Sequence, residues 1–254
     1  MLDSASSAFW VPIVRDVVTV TGPDARKYLH SQLSQNIETM QPGDVRASFV
    51  LQPTGKIDAL LRVSCAANDR FVLDTEAGYG ESVVARLKRF KIRVNADLDL
   101  QQQTWRAIRN CGGAAIEGSL AAWRADGTAV DVFSPALALP KTIQQGTTEQ
   151  FAAARVAAMW PIMGADISTD MIPAETGIVE CAVSFTKGCY PGQELVERMD
   201  SRGSTAPKML MRIECPADAV AGSDVVVNGV TVGTYTTVAG TQAIALIKRG
   251  SVLV

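Results

Sequence analysis

The chain has 254 residues, 47% hydrophobic and 20% charged, with a formal net charge of -2. That balance fits a globular protein with a substantial core and excludes a disordered or coiled-coil chain. It gives no support to a nucleic-acid binder held by bulk charge.

Residues 1–12 place no basic stretch before an apolar run, so neither a secretory nor a transit signal is expected, and the protein reads as cytoplasmic. The β-branched run Val17 to Val20 predicts a strand. Thr21-Gly22-Pro23-Asp24 is a helix-start signature, followed by Ala25, Tyr28, Leu29 and Leu33 on one stripe. His30, the chain's one histidine, falls off that stripe and is expected to face solvent. Arg46 to Leu51 and Lys56 to Ser64 alternate apolar and polar residues around Gln52-Pro53-Thr54-Gly55, a hairpin signal. Strand alternation there puts Asp58 on a face with Leu60 and Arg62.

Arg70 to Leu73 reads as a further strand, and Glu81 to Phe90 as a helix with Val83, Val84, Leu87 and Phe90 inward. Arg86, Lys88, Arg89, Lys91 and Arg93 form a basic run with no acid among them: a solvated face, or an anchor for an anionic tail or an acidic partner. Between about Gln101 and Phe151 no chemical motif stands out. The apolar piece from Phe151 to Ala165 is interrupted by Arg155 and Pro161, which argues against a membrane span. Past Lys208 the pieces become short and β-rich, and Asn228-Gly229 between two valine-rich runs predicts a two-residue hairpin of the primed type. Two units are expected: an α+β domain over residues 1–207 and a small antiparallel, barrel-like unit over 208–254.

The five cysteines, Cys65, Cys111, Cys181, Cys189 and Cys215, are odd in number and scattered, which suits a reducing compartment better than a disulfide framework. No Cys-x-x-Cys or His-x-x-x-His spacing offers a zinc site, so no metal is required. The most specific feature is the octet Lys187-Gly188-Cys189-Tyr190-Pro191-Gly192-Gln193-Glu194. It sets a thiol between two glycines, beside a lysine, where a polar loop runs into a helix marked by Leu195, Val196 and Met199. The free N–H groups at that helix start, and Lys187, are expected to lower the pKa of the thiol. Taken without the motif, an unpaired cysteine reads first as a small buried hydrophobe, and it is the octet that reverses that preference.

The octet resembles the hallmark of the YgfZ-type folate-binding proteins, relatives of the aminomethyltransferase (T protein) of the glycine cleavage system: Lys-Gly-Cys, Tyr or Phe, any residue, then Gly-Gln-Glu. Weaker likenesses run in the same order through Gly22-Pro23-Asp24-Ala25 with Tyr28-Leu29, through Arg46 to Asp58, and through Arg155, Pro161, Gly164, Asp166 and Ile172-Pro173-Ala174-Glu175. The resemblance implies an aminomethyltransferase-like α+β domain of intertwined ferredoxin-like lobes around a central cavity, closed by a C-terminal β-barrel. It implies tetrahydrofolate or a one-carbon derivative as ligand. It also implies a role in iron–sulfur cluster assembly or repair and, through such enzymes, in tRNA modification.

Glu175 matches a glutamate of the aminomethyltransferase, and a carboxylate is suited to accept the paired amino and N–H edge of a pterin. On its own it is equally a helix-start acid after Pro173. Asp58 matches an aspartate near the reactive nitrogens of the folate, and a solvated strand aspartate fits the pattern as well. Cys189 and Asp58 are thus the expected catalytic residues. Glu175, Lys187, Tyr190, Gln193, Arg198 and Arg202 are the expected ligand contacts, with an intrahelical ion pair the alternative for Arg198. The expected partners are a reduced folate and iron–sulfur proteins, with no direct nucleic acid and no membrane. Two other functions fit: a folate-dependent one-carbon transferase with Asp58 handling a proton, and a non-enzymatic scaffold docking a partner through Arg86 to Arg93.

Overall fold

The fold is seen in a computed structural model that describes residues 7–112, 116–134, 137–201 and 206–251. The chain runs β1 (Phe9–Thr21), α1 (Ala25–Gln32), β2 (Val45–Leu51), β3 (Ile57–Ala67), β4 (Arg70–Glu76), α2 (Gly80–Arg89), β5 (Asp97–Arg109), β6 (Ser119–Ala121), β7 (Ala129–Val132), β8 (Gln144–Gln145), α3 (Thr148–Ala157), a 3-10 turn (Pro173–Glu175), α4 (Val179–Ala182), α5 (Gln193–Ser201), β9 (Lys208–Glu214), β10 (Asp224–Val227), β11 (Val230–Ala239) and β12 (Gln242–Lys248). Among the described residues no helix is long and apolar enough to cross a membrane.

One sheet has the order β2-β3-β4-β1-β5-β7-β6, with β8 added parallel to the start of β1. β1 extends well beyond the run Val17 to Val20 that announces it and pairs antiparallel with β4 on one side and, over its whole length, with β5 on the other. The period of two sorts the side chains. Val18, Val20, Leu61, Val63, Phe71 and Leu73 bury themselves with Leu29 and Leu33 around α1 and with Val83 and Leu87 of α2.

The opposite face is ionic. Asp74 accepts from Arg15 Nε (2.9 Å) and from Arg62 Nε and Nη2 (2.8 and 3.0 Å). Asp131 accepts from Arg62 Nη1 and Arg109 Nη1, both at 2.8 Å. Glu76 closes the chain on Arg15 Nη1 at 2.5 Å. Charges removed from water persist only when neighbours neutralise them, and here each carboxylate meets at least one guanidinium.

Three sequence expectations are corrected. Phe90 lies past the end of α2 and is exposed, its ring 4.3 Å from the Arg86 guanidinium, whereas Arg86 is buried and donates through Nη2 and Nε to the Leu51 carbonyl. Arg86 therefore leaves the basic run, whose Lys88, Arg89 and Arg93 are exposed. His30 is half-buried because the chain turns back over it after Leu33. Its Nδ1 accepts the N–H groups of Ile37 and Glu38, both at 3.3 Å, and burial holds the imidazole below its ordinary pKa, with Lys187 adding to the effect.

The second sheet is antiparallel, β10-β11-β12-β9, and its first hairpin turns on Asn228 and Gly229 at φ 51° and 78°, as their side chains suggest. A polar junction ties it to the rest. Asp166 accepts from Thr236 Oγ1 (2.6 Å) and Thr237 Oγ1 (2.8 Å), and buried Arg155 of α3 bonds both Asp166 and Thr237.

Burial alone would raise the Asp131 carboxyl, but Arg109 and Arg62 outweigh it and hold the pKa below the ordinary value. A carboxyl depressed by folding stabilises the protein above its unfolded pKa of about 4, and that contribution drains away as pH falls through the folded value. Asp131→Ala should therefore lower the unfolding free energy by about 3–5 kcal/mol at neutral pH by leaving Arg109 unpaired. It should also reduce the loss of stability on acidification below about pH 4, both read by urea denaturation.

Candidate functional site

The octet is anchored at both ends. Lys187 Nζ donates to the carbonyls of His30, Leu33 (2.5 Å) and Gln35 (3.2 Å), which spends all three ammonium donors around the C-terminal end of α1. Burial pushes that amine down to about 8, while the carbonyl dipoles favour its charged form. The expectation that Lys187 acts on the thiol or on a ligand thus meets a lysine engaged elsewhere. Tyr190 is buried with its ring 5.0 Å from Nζ, and burial, helped by Glu197, pushes its hydroxyl up to about 12. Gln193, the first residue of α5, accepts the Tyr190 N–H through Oε1 at 2.9 Å.

The glycine before α5 is required by contact as well as by backbone. Gly192 has φ 84°, and a Cβ on it would stand 2.5 Å from the Gln52 carbonyl oxygen. Gly55, at φ 85°, would place one 2.6 Å from Leu195 Cβ. The octet and the β2–β3 turn therefore lie directly against each other. Between the two anchors Cys189 is exposed.

Asp58 follows that turn by three residues and is half-buried. Burial raises its carboxyl pKa, against a hydrogen bond from Gln52 and the charge of Arg86, whose Nε lies 3.4 Å away. Glu175 is buried, and its Oε2 accepts the Ile172 N–H at 3.0 Å, so the carboxylate turns back on its own 3-10 turn. Arg198 is exposed and, among the described residues, pairs with none of Glu194, Glu197 or Asp200. Arg202 lies outside the described residues.

The ionic face of the sheet opens into a cavity of about 230 Å³. Arg15, Arg62, Glu76, Arg109 and Asp131 line it together with Trp123, Phe151 and Trp160. The Arg109 guanidinium lies 4.1 Å from the Trp123 ring centroid and 5.0 Å from that of Phe151. Neither Cys189 nor Glu175 lines this cavity. A larger hollow of about 530 Å³ between α5 and β9 is walled by Met159, Met199, Met209 and Met211. Glu180, Asp200 and Arg212 also line it, but the smaller cavity gathers more charged groups around its aromatic walls and is the better candidate. The resemblance implies a central cavity, but none of the residues expected at the site lines this one. The one available signal was the charges at inward strand positions, Arg62 between Leu61 and Val63 and Asp131 between Val130 and Val132.

No family model matches the chain. The sequence is 28% identical over 217 residues to the tRNA-modifying protein YgfZ of Photorhabdus laumondii, covering 74% of this chain and 65% of that protein. It is 22% identical over 227 residues to a mitochondrial iron-sulfur cluster assembly factor IBA57 homologue of Pyricularia oryzae, covering 77% of this chain and 54% of that protein. The chain thus spans less than two thirds of the length of either relative. The fold is similar to that of the glycine cleavage system aminomethyltransferase T of Bartonella henselae, with a TM-score of 0.78 over 96% of this chain and 79% of that one. At 17% identity this is a likeness of fold.

The buried amine gives a titration to look for. NMR of the reductively ¹³C-methylated protein should show one lysine titrating near 8, against about 10.4 for an ordinary lysine, and Lys187→Arg should remove that signal. Between those values the unfolded chain holds a proton that the folded chain has released, so Lys187 makes stability rise with pH across that window. Gly192→Ala should destabilise by at least about 1 kcal/mol, since both backbone and contact resist it.

Proposed function

We propose that this chain, similar in sequence to YgfZ and to the IBA57 homologue, acts as a YgfZ-type protein: it binds a reduced folate and supports iron–sulfur cluster assembly or repair, serving tRNA modification through enzymes that carry such clusters. The observation that carries the proposal is the tethered thiol. Lys187, Tyr190, Gly192 and Gln193 are all engaged in holding the loop, and Cys189 is the group the loop offers to solvent. A rigidly held, exposed sulfur suits transient contact with a cluster or with a thiol of a partner protein. The reduced folate is assigned to the cavity of Arg15, Arg62, Glu76, Arg109 and Asp131, where aromatic walls and charged donors and acceptors suit a flat polar ring.

A second reading, a folate-dependent one-carbon transferase, draws on Asp58. Its half-buried carboxyl has a pKa raised toward the range useful for moving a proton. Formation of methylene-folate from an aminomethyl donor by the purified protein, lost in Asp58→Asn, would favour it.

In cells under oxidative stress, Cys189→Ser should lower the activity of iron–sulfur enzymes to the level of a strain lacking the protein. The purified variant should melt with the wild type, because the side chain is exposed. Unchanged enzyme activity would remove Cys189 from the mechanism. For the folate, saturation at about 100 times Kd should stabilise the wild type by about 2.7 kcal/mol, and no shift with any reduced folate would leave only the scaffold reading.

A further inference from the structure

The basic run that closes α2 is not neutralised from within the molecule. Lys88, Arg89 and Arg93 are exposed and Lys91 is half-buried, and among the described residues none of the four pairs with a carboxylate. Interleaved with them are Phe90, 39% exposed, and Ile92, 77% exposed. Among the described residues no large hydrophobic side chain is more exposed than Ile92. A single apolar side chain in water is ordinary, but here two of them sit within a row of unpaired cations.

The segment is held in place at both ends. The Phe90 N–H donates to the Leu87 carbonyl and the Lys91 N–H to the Lys88 carbonyl, both at 3.2 Å. Arg93 turns the chain with φ 56°, a left-handed backbone that arginine seldom adopts, and Asp24 Oδ2 accepts the Asn95 N–H at 2.8 Å just beyond it. The Phe90 ring rests against the Arg86 guanidinium, which is itself bonded to the Leu51 carbonyl. Leu51 and Gln52 are also the residues that a Cβ on Gly192 would meet, so the end of α2 and the cysteine octet abut the same turn. A surface already fixed binds a partner without first having to be ordered.

We propose that residues 88–93 are a docking surface for an acidic protein, whose carboxylates meet the cations while an apolar hollow takes Ile92. An apolar anchor within a charged surround is the layout of a protein interface, and opposite charge steers the partner in. A nucleic acid fits less well. It tracks a longer basic surface, and here exposed Asp97 and Asp99 follow on β5, while Phe90 lies against Arg86 instead of standing free to stack a base. A bilayer fits less well too, because two apolar side chains at a turn offer far less to insert than the apolar face of an interfacial helix. A purely acidic tail would use the cations and leave Ile92 in water. The inference goes beyond the folate reading and stands without it, since the partner is defined by its acid and its hollow.

The test is fluorescence anisotropy with a labelled random copolymer of glutamate and tyrosine, with poly-glutamate and with bulk tRNA, and co-sedimentation with vesicles containing phosphatidylglycerol. It compares wild type, Lys88→Glu/Arg89→Glu, Ile92→Ser and Lys141→Glu/Arg249→Glu, the last making the same change of charge at exposed cations elsewhere. The copolymer should bind wild type and that control alike. Its affinity should fall at least about tenfold in Lys88→Glu/Arg89→Glu and at least about threefold in Ile92→Ser. Poly-glutamate should bind more weakly than the copolymer and ignore Ile92→Ser. An equal loss in the control, or copolymer binding that is indifferent to Ile92, reduces the patch to bulk charge and overturns the inference, as does a copolymer that fails to bind the wild type. Tighter binding of tRNA or of vesicles, lost in the same variants, assigns the patch to a nucleic acid or a membrane and overturns it as well. None of these outcomes touches the folate titration or Cys189→Ser, so the inference and the proposed function fail separately. The substituted side chains are exposed and the variants should melt with the wild type. Should Lys88→Glu/Arg89→Glu not fold, Lys88→Gln/Arg89→Gln is read the same way.

Discussion

The alternation of charges across the sheet, Arg15 to Asp74 to Arg62 to Asp131 to Arg109, is the constraint on which the rest of the structure depends. These residues come from β1, β4, β3, β7 and β5, so the ion pairs tie together strands that are far apart in the chain. Apolar side chains at the same positions would meet across the curled sheet and fill it, whereas guanidiniums and carboxylates demand directed partners and leave space between them. Burying five such groups has a large desolvation cost, offset only because each one finds its opposite. The reward is a hollow with chemical character on a face that would otherwise be ordinary core.

The cysteine octet has a different logic. Of its polar residues, Lys187 and Gln193 look at first like ligand contacts, yet their hydrogen bonds run to the backbone of α1 and of the loop itself. The tight approach of Gly192 to Gln52 then seats the loop on the turn that leads to Asp58. A signature that reads as chemistry is therefore largely a mount, and the group it leaves exposed is one sulfur. The cavity and the thiol are separate features, so the binding of a small ligand and the exposure of Cys189 need not share residues.

Much of the fold was legible because its signals are local. The β2–β3 hairpin follows from alternation around Gln52 to Gly55, α1 from Gly22-Pro23-Asp24, the last hairpin from Asn228-Gly229, and α5 from the apolar spacing after the octet. The cavity was illegible for the opposite reason. Each strand contributes one or two charges, and only pairing across strands brings them together, so no window of sequence contains the pattern. The stretch from Gln101 to Phe151 seemed empty of motifs although it supplies Arg109, Trp123, Asp131 and Phe151 to the site. Direction was the other blind spot. Spacing placed Lys187 next to Cys189 and Phe90 on an inward stripe, but neither the reach of a lysine to a distant carbonyl nor the end of a helix one residue early is written in spacing. Arg155 and Asp166 stood out individually, and only the folded chain shows them joined to each other and to the second sheet.

One position in the octet meets nothing among the described residues. A methyl group built on Gly188 would touch no atom within 4 Å, and its backbone does not require a left-handed turn, in contrast to Gly192. Folding is thus indifferent to a larger residue there. What such a residue would obstruct is the approach to the neighbouring sulfur, so the bareness of Gly188 measures how closely a visiting surface can lie against Cys189.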